Sequence, residues 1–163
     1  MVQLKIPPKP VNDLELKIPP PILVLIISAL MWFVSKNLPA LSFTLPGTQL
    51  FVFALAGTGI LFALAGIIAF LKAKTTVNPT QPGNTSAMVT SGVYRLSRNP
   101  MYLGLLLVLA GWAVVLSHIL AFLFLPVFVA YLNRFQITPE ERVLAAKFGE
   151  AFSIYTQAVR KWL

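Results

Sequence analysis

The chain contains no cysteine. That excludes disulfides, thiolate metal sites and a cysteine nucleophile, and it leaves the redox compartment open. A single histidine, His118, excludes paired-histidine metal motifs. Charge is scarce as well. Only 11% of the 163 residues are Asp, Glu, Lys or Arg, against about 25% in soluble domains. Acid is scarcer still: five Asp and Glu stand against thirteen Lys and Arg, for a formal net charge of +8. What fills the chain instead is apolar. Hydrophobic residues make up 57% of it, and the mean hydropathy is +0.79. Neither a water-soluble globule nor a disordered segment has this balance. The composition is that of one small domain integral to a membrane.

A spanning helix needs about 20 mostly apolar residues. Residues 50–71 supply a run without any charge, 101–117 a second, and 119–137 a third with Asn133 and Arg134 near one end. Residues 22–34 form a shorter run, followed by Pro39, so residues 22–46 either cross once or form a hairpin within the membrane. Ser117-His118 is a tight link, which makes the third and fourth spans an antiparallel pair. The expected fold is all-α and integral to the membrane, with about four transmembrane helices. Four spans place the N-terminus, residues 72–99 and the C-terminus on one side. That side holds twelve of the thirteen basic residues, and the other holds Lys36. The positive-inside rule makes the rich side cytoplasmic, with both termini on it. Because the charges flank apolar spans, the neighbours are the lipid bilayer and its anionic headgroups, not nucleic acid.

Residues 1–21 read as a Pro-rich lead-in to a single domain at 22–163. The lead-in repeats itself, as Leu4-Lys5-Ile6-Pro7-Pro8 and Leu16-Lys17-Ile18-Pro19-Pro20. Such prolines favour extended, stiff backbone; a docking motif for a partner is the sharper alternative. The apolar run starts only after Pro21, so the segment is not a cleavable signal.

Two polar segments carry the candidates for chemistry. Residues 74–99 are rich in Gly, Pro, Asn and Ser and read as a functional loop. They end in Arg98-Asn99-Pro100, where Asn99 is placed to cap the third span and Pro100 suits its first position. Two arginines and Tyr102 cluster within about a turn of that cap. The second segment is 136–163. Thr138-Pro139-Glu140-Glu141 has the form of a capping box, with Thr138 as N-cap and Glu141 reaching back. Gly149 ends or bends that helix, and Phe152, Tyr155, Val159 and Trp162 recur at helical spacing, as in an amphipathic surface helix. The cap accounts for Glu141. Glu140, beside a membrane mouth and near Arg134, is a functional candidate. Within the second span, Gly59 and Ala63 read as small residues for close helix packing. His118 lies at the opposite end from these groups, as an interfacial residue without a catalytic role.

Three strings together resemble a known family. They are Met88-Val89-Thr90-Ser91-Gly92-Val93-Tyr94-Arg95, Arg98-Asn99-Pro100-Met101-Tyr102-Leu103-Gly104, and Glu140-Glu141 with Phe148-Gly149. They are similar to the isoprenylcysteine carboxyl methyltransferase and phospholipid methyltransferase superfamily, and the ending Val159-Arg160-Lys161-Trp162 is similar too. The likeness covers residues 72–163. It implies an integral membrane enzyme that uses S-adenosylmethionine and no metal, with a cofactor pocket roofed by the loop and the C-terminal helix. Ser86, Ala87, Met88 and Val89 would line that pocket, with Tyr94 against the cofactor. Asn99, Pro100, Met101 and Tyr102 would form its floor, Glu140 would hold a polar group, and Asn78 would contribute.

Two positions depart from the family pattern. Asn99 stands where histidine is usual, which excludes a proton carrier there. Gln136 stands where the prenylcysteine enzymes have an arginine for the substrate carboxylate, and it forms no charged fork. Arg134 or Arg98 would then orient an anionic part of the acceptor, with Gln136 and Arg134 at the substrate side. The implied activity is methyl transfer to a lipophilic acceptor at the cytoplasmic face. The acceptor is a prenylcysteine carboxylate, a phosphatidylethanolamine-type amine or another lipophile. A non-enzymatic membrane scaffold is the competing class. A transporter would need ionisable residues in mid-span on several helices, and the second and third spans have none.

Overall fold

The computed structural model describes residues 14–44, 46–75 and 82–163. Asn78 and the first copy of the Pro-rich repeat lie outside the described residues. The backbone is mostly helical, and no strand occurs among the described residues beyond an isolated bridge between Ser42 and His118. In hydrocarbon a helix satisfies all its backbone polar groups internally, and apolar sequence of this length has little other choice.

Helix α1 runs Pro20–Asn37. Its first turn can hold Pro20 and Pro21 because the first N–H groups of a helix have no partner in any case. It ends before Pro39, which is disfavoured after a helical residue, and at 18 residues it crosses about 27 Å. It is one continuous helix without a reversal, and a short 3₁₀ turn at Pro39–Leu41 follows. Helix α2, Thr48–Lys72, starts after Gly47, whose φ of 74° suits glycine. Helix α3, Pro100–Leu116, and α4, Ile119–Leu132, form the expected tight hairpin through Ser117. Helices α1, α2 and the stretch from Ile119 to Phe148 are each long and apolar enough to span; α3 is shorter.

The core lies where α1, α3 and α4 meet: Met31, Leu109, Ala113, Ala121, Phe128 and Leu132 are almost wholly excluded from the surface. Helix α2 packs chiefly on α3, along a line of small residues. A side-chain carbon at Gly59 would lie 2.6 Å from the Gly104 carbonyl oxygen, and one at Gly104 would strike Gly59 and Ala63 in return. Much of α2, including Leu50, Phe53 and Leu61, faces outward. Lipid tails are as apolar as leucine, so the α2–α3 pair is held by close packing and not by expulsion of water.

The chain does not start a new helix at Thr138. Helix α4 passes through a π turn at Asn133–Ile137 directly into α5, Thr138–Phe148. The expected capping box is therefore absent. Thr138 has helical backbone and gives its hydroxyl to the Asn133 carbonyl at 2.7 Å. Glu141 turns instead to Arg98 and Lys161. A capping box needs backbone N–H groups left open at a helix start, and a helix that simply continues has none. Gly149, at φ 54°, breaks the line as expected, and α6 follows as Glu150–Ala158. His118 is fully buried, with Nε2 against the Leu38 carbonyl at 2.9 Å, so it ties the hairpin to the end of α1.

Replacing Gly104 by Val should destabilise the α2–α3 pair by about 1–3 kcal/mol through overpacking. Gly57→Ala, where added atoms meet open space, should be neutral. Thermal unfolding of both variants in detergent checks the contrast.

Candidate functional site

A cleft opens at the end of the bundle that carries most of the basic residues. Its floor is the start of α3, its walls are the end of α2 and the loop at 82–95, and its roof is α5 with α6. Its enclosed volume is about 100 Å³, and it widens toward its mouth.

The start of α3 is fixed by the C-terminal tail. The Arg98 N–H donates to the Arg160 carbonyl at 3.0 Å. The Asn99 side-chain amide donates to the Lys161 carbonyl at 3.0 Å. Asn99 does occupy the N-cap position, but its side chain makes no cap bond; the Asn99 N–H is met by the Ser97 hydroxyl. The Arg98 guanidinium is consumed by protein. It donates twice to Glu141 Oε1, at 2.7 and 3.1 Å, and to the carbonyls of Thr156 and Val159. Lys161 completes the cluster at 3.2 Å from Glu141 Oε2. Loop, α5 and tail are thus pinned to one another by one ionic knot.

Glu140 lies on the cleft wall. The Tyr102 hydroxyl donates to its Oε1 at 2.5 Å, and the Gln136 amide donates to the same oxygen. Tyr102 and Gln136 are both buried. Both donors converge on one carboxylate oxygen. Across the cleft Tyr94 packs on Phe70, ring centres 5.4 Å apart. The Tyr155 hydroxyl donates to the Tyr94 carbonyl at 2.7 Å. Burial pushes the Tyr94 phenol far above its usual value, with the charges of Tyr155 and Glu140 adding to it. Burial likewise raises Tyr155 to about 12, against the opposing pull of Arg98. Both stay neutral phenols near neutral pH, suited to binding a ring or a polar edge and not to taking a proton.

Most of the residues singled out from the sequence meet here. Ala87, Met88, Val89, Tyr94, Arg98, Asn99, Met101, Tyr102 and Glu140 all line the cleft. Pro100 is buried beneath the floor. Ser86 is exposed beside the cleft, where its N–H and hydroxyl bond Thr75 and Lys74 and so close the base of the loop. Gln136 is buried behind the cleft and donates to Glu140. Arg134 stands outside it: its side chain is 53% exposed and lies 3.9 Å from Glu15.

The cleft also uses residues that the sequence motifs passed over. Phe70 and Thr85 carry no local signal. Phe152 and Tyr155 do recur at helical spacing, but that pattern fits a lipid-facing stripe equally well, and the structure turns both into the cleft.

Comparison with known proteins accords with this architecture. An uncharacterized protein of Haemophilus influenzae is 46% identical over 63 residues, which is 39% of this chain and the whole of that protein. No solved structure matches the chain. The sequence profile of the phospholipid methyltransferase family matches residues 48–151, from the start of α2 into α6. With most of its length matched, the chain belongs to the phospholipid methyltransferase family, within the isoprenylcysteine carboxyl methyltransferase-like superfamily of integral membrane proteins.

Proposed function

We propose that this protein transfers a methyl group from S-adenosylmethionine to a lipophilic acceptor at the cytoplasmic face of a membrane. The observation that carries this reading is the Glu140 carboxylate, held by Tyr102 and Gln136 on the wall of a cleft lined largely by aromatic and aliphatic side chains. The donor set fits the cofactor. A carboxylate suits an ammonium or hydroxyl group, and the Tyr94 and Phe152 rings suit a planar base.

S-adenosylmethionine supplies an already activated methyl group on a sulfonium. The protein's share of the work is then positioning and exclusion of water. Glu140 would bind a polar group of the donor. Tyr94 and Met101 would pack against it, and Ala87, Met88 and Val89 would close the rim. Tyr102 acts through Glu140, whose orientation it fixes. Asn99 holds the floor in register with the tail. Ser86 and Thr75 bond each other at the base of the loop, and Asn78, outside the described residues, would contribute to the donor site.

The charges bear on the acceptor. Arg98 is the one cation that lines the cleft among the described residues, and Glu141 already pairs with it. Gln136 is neutral and bound to Glu140. This favours a neutral or amine-bearing lipid, such as an ethanolamine-type headgroup, over a free prenylcysteine carboxylate. Arg134, exposed at the same membrane face, is left to meet an anionic headgroup outside the cleft.

Glu140→Gln keeps shape and removes charge. Titration calorimetry of the detergent-purified protein should show S-adenosylmethionine affinity lowered about tenfold or more, as expected for loss of a charged hydrogen bond. Unchanged affinity would remove Glu140 from the donor site. The absence of native cysteine also gives a direct test of orientation. A cysteine at Ser91 should react with an impermeant maleimide only after the membrane is opened, and one at Asn37 should react in intact cells.

A further inference from the structure

Residues 14–17 form a turn just ahead of α1. Leu16 adopts φ 61°, a left-handed conformation uncommon for a side chain of this type. Two contacts hold it there. The Leu16 N–H donates to the Phe135 carbonyl at 3.0 Å. The Glu15 side chain, 1% exposed, lies 3.2 Å from Arg142 and 3.9 Å from Arg134. The turn therefore grips the chain inside the π turn and again about a turn into α5.

The place of this grip follows from covalent structure. Pro139 has no N–H to give to the carbonyl four residues before it, and that carbonyl belongs to Phe135. Leu16 supplies a donor from another part of the chain. Between the two points of grip lie Gln136 and Glu140, the pair that presents a carboxylate to the cleft. π turns of this kind place one extra residue in a helix, and the phase of everything after them depends on how they are held.

We propose that Glu15 and its turn are a strap that sets the π turn and thereby aims Glu140 into the cleft, which makes Glu15 a positioning residue for donor binding. Its effect on the donor rests on the function proposed above; its effect on the π turn does not. A buried carboxylate between two guanidinium groups is costly to leave half-paired. Loss of the Glu15 charge should be felt first at Arg142 and then through α5.

The test uses the full chain in detergent, with Glu15→Gln as the main variant and Arg142→Gln as the second. Amide hydrogen exchange is followed along the chain, and S-adenosylmethionine affinity is measured alone and in a Glu140→Gln background. The expected result is faster exchange at residues 133–142 with α2 and α3 unchanged. Donor affinity should fall about tenfold. That loss should nearly vanish once Glu140 is already Gln, because residues acting through one group are not additive. Unchanged exchange at 133–142 in both variants would overturn the strap. Faster exchange with unchanged affinity, or a loss that persists in full without the Glu140 charge, would overturn its role in positioning. Faster exchange in a chain whose parent binds no S-adenosylmethionine would instead overturn the proposed function and leave the strap standing.

Discussion

The structure at the membrane face turns on the guanidinium of Arg98. Its four hydrogen bonds join the residue before α3 to Glu141 on α5 and to two carbonyls at the end of α6 and just beyond. These segments are far apart in sequence, and the short helices α5 and α6 have little apolar surface of their own to bury. A planar fork with several fixed donors is suited to this task in a way that an ammonium group is not. Because Arg98 and Glu141 are both largely shielded, each depends on the other to stay there. The cleft exists because this knot holds its roof against its floor.

Below the knot a different physics applies. The helices in the bilayer gain nothing from leaving water, so shape decides which of them touch. Helix α3 meets α2 through Gly59, Ala63 and Gly104 and meets α1 and α4 through larger side chains. The polar cleft and the apolar bundle thus share one element. The N-terminus of α3 is the floor of the site, and its middle is the centre of the packing.

Much of this was legible in the sequence, for reasons that differ from residue to residue. The spans stand out because lipid demands long apolar runs. Pro100 marks the start of α3 because few other helical positions accept proline. Glu140 stands out because acid is so rare in this chain. Glu141 was legible only as a cap, since Thr-Pro-Glu-Glu has the same local form whether a helix begins there or passes through. Its true partner, Arg98, lies 43 residues away and leaves no local trace. The same holds for Glu15 and Arg142, and for Phe70 and Tyr155, whose place in the cleft is decided by how α2 and α6 are docked.

The π turn at Asn133–Ile137 sets the angle at which α5 leaves the bundle. Each residue of an α-helix advances the face by about 100°. A chain one residue shorter through this turn would carry Glu140 away from Tyr102 and Glu141 away from Arg98 in the same motion, with all four of those side chains still present. The site is thus encoded partly as a count. Residue number between α4 and α5 is as strict a requirement as residue type, and a deletion of a single neutral residue there amounts to the loss of two carboxylates.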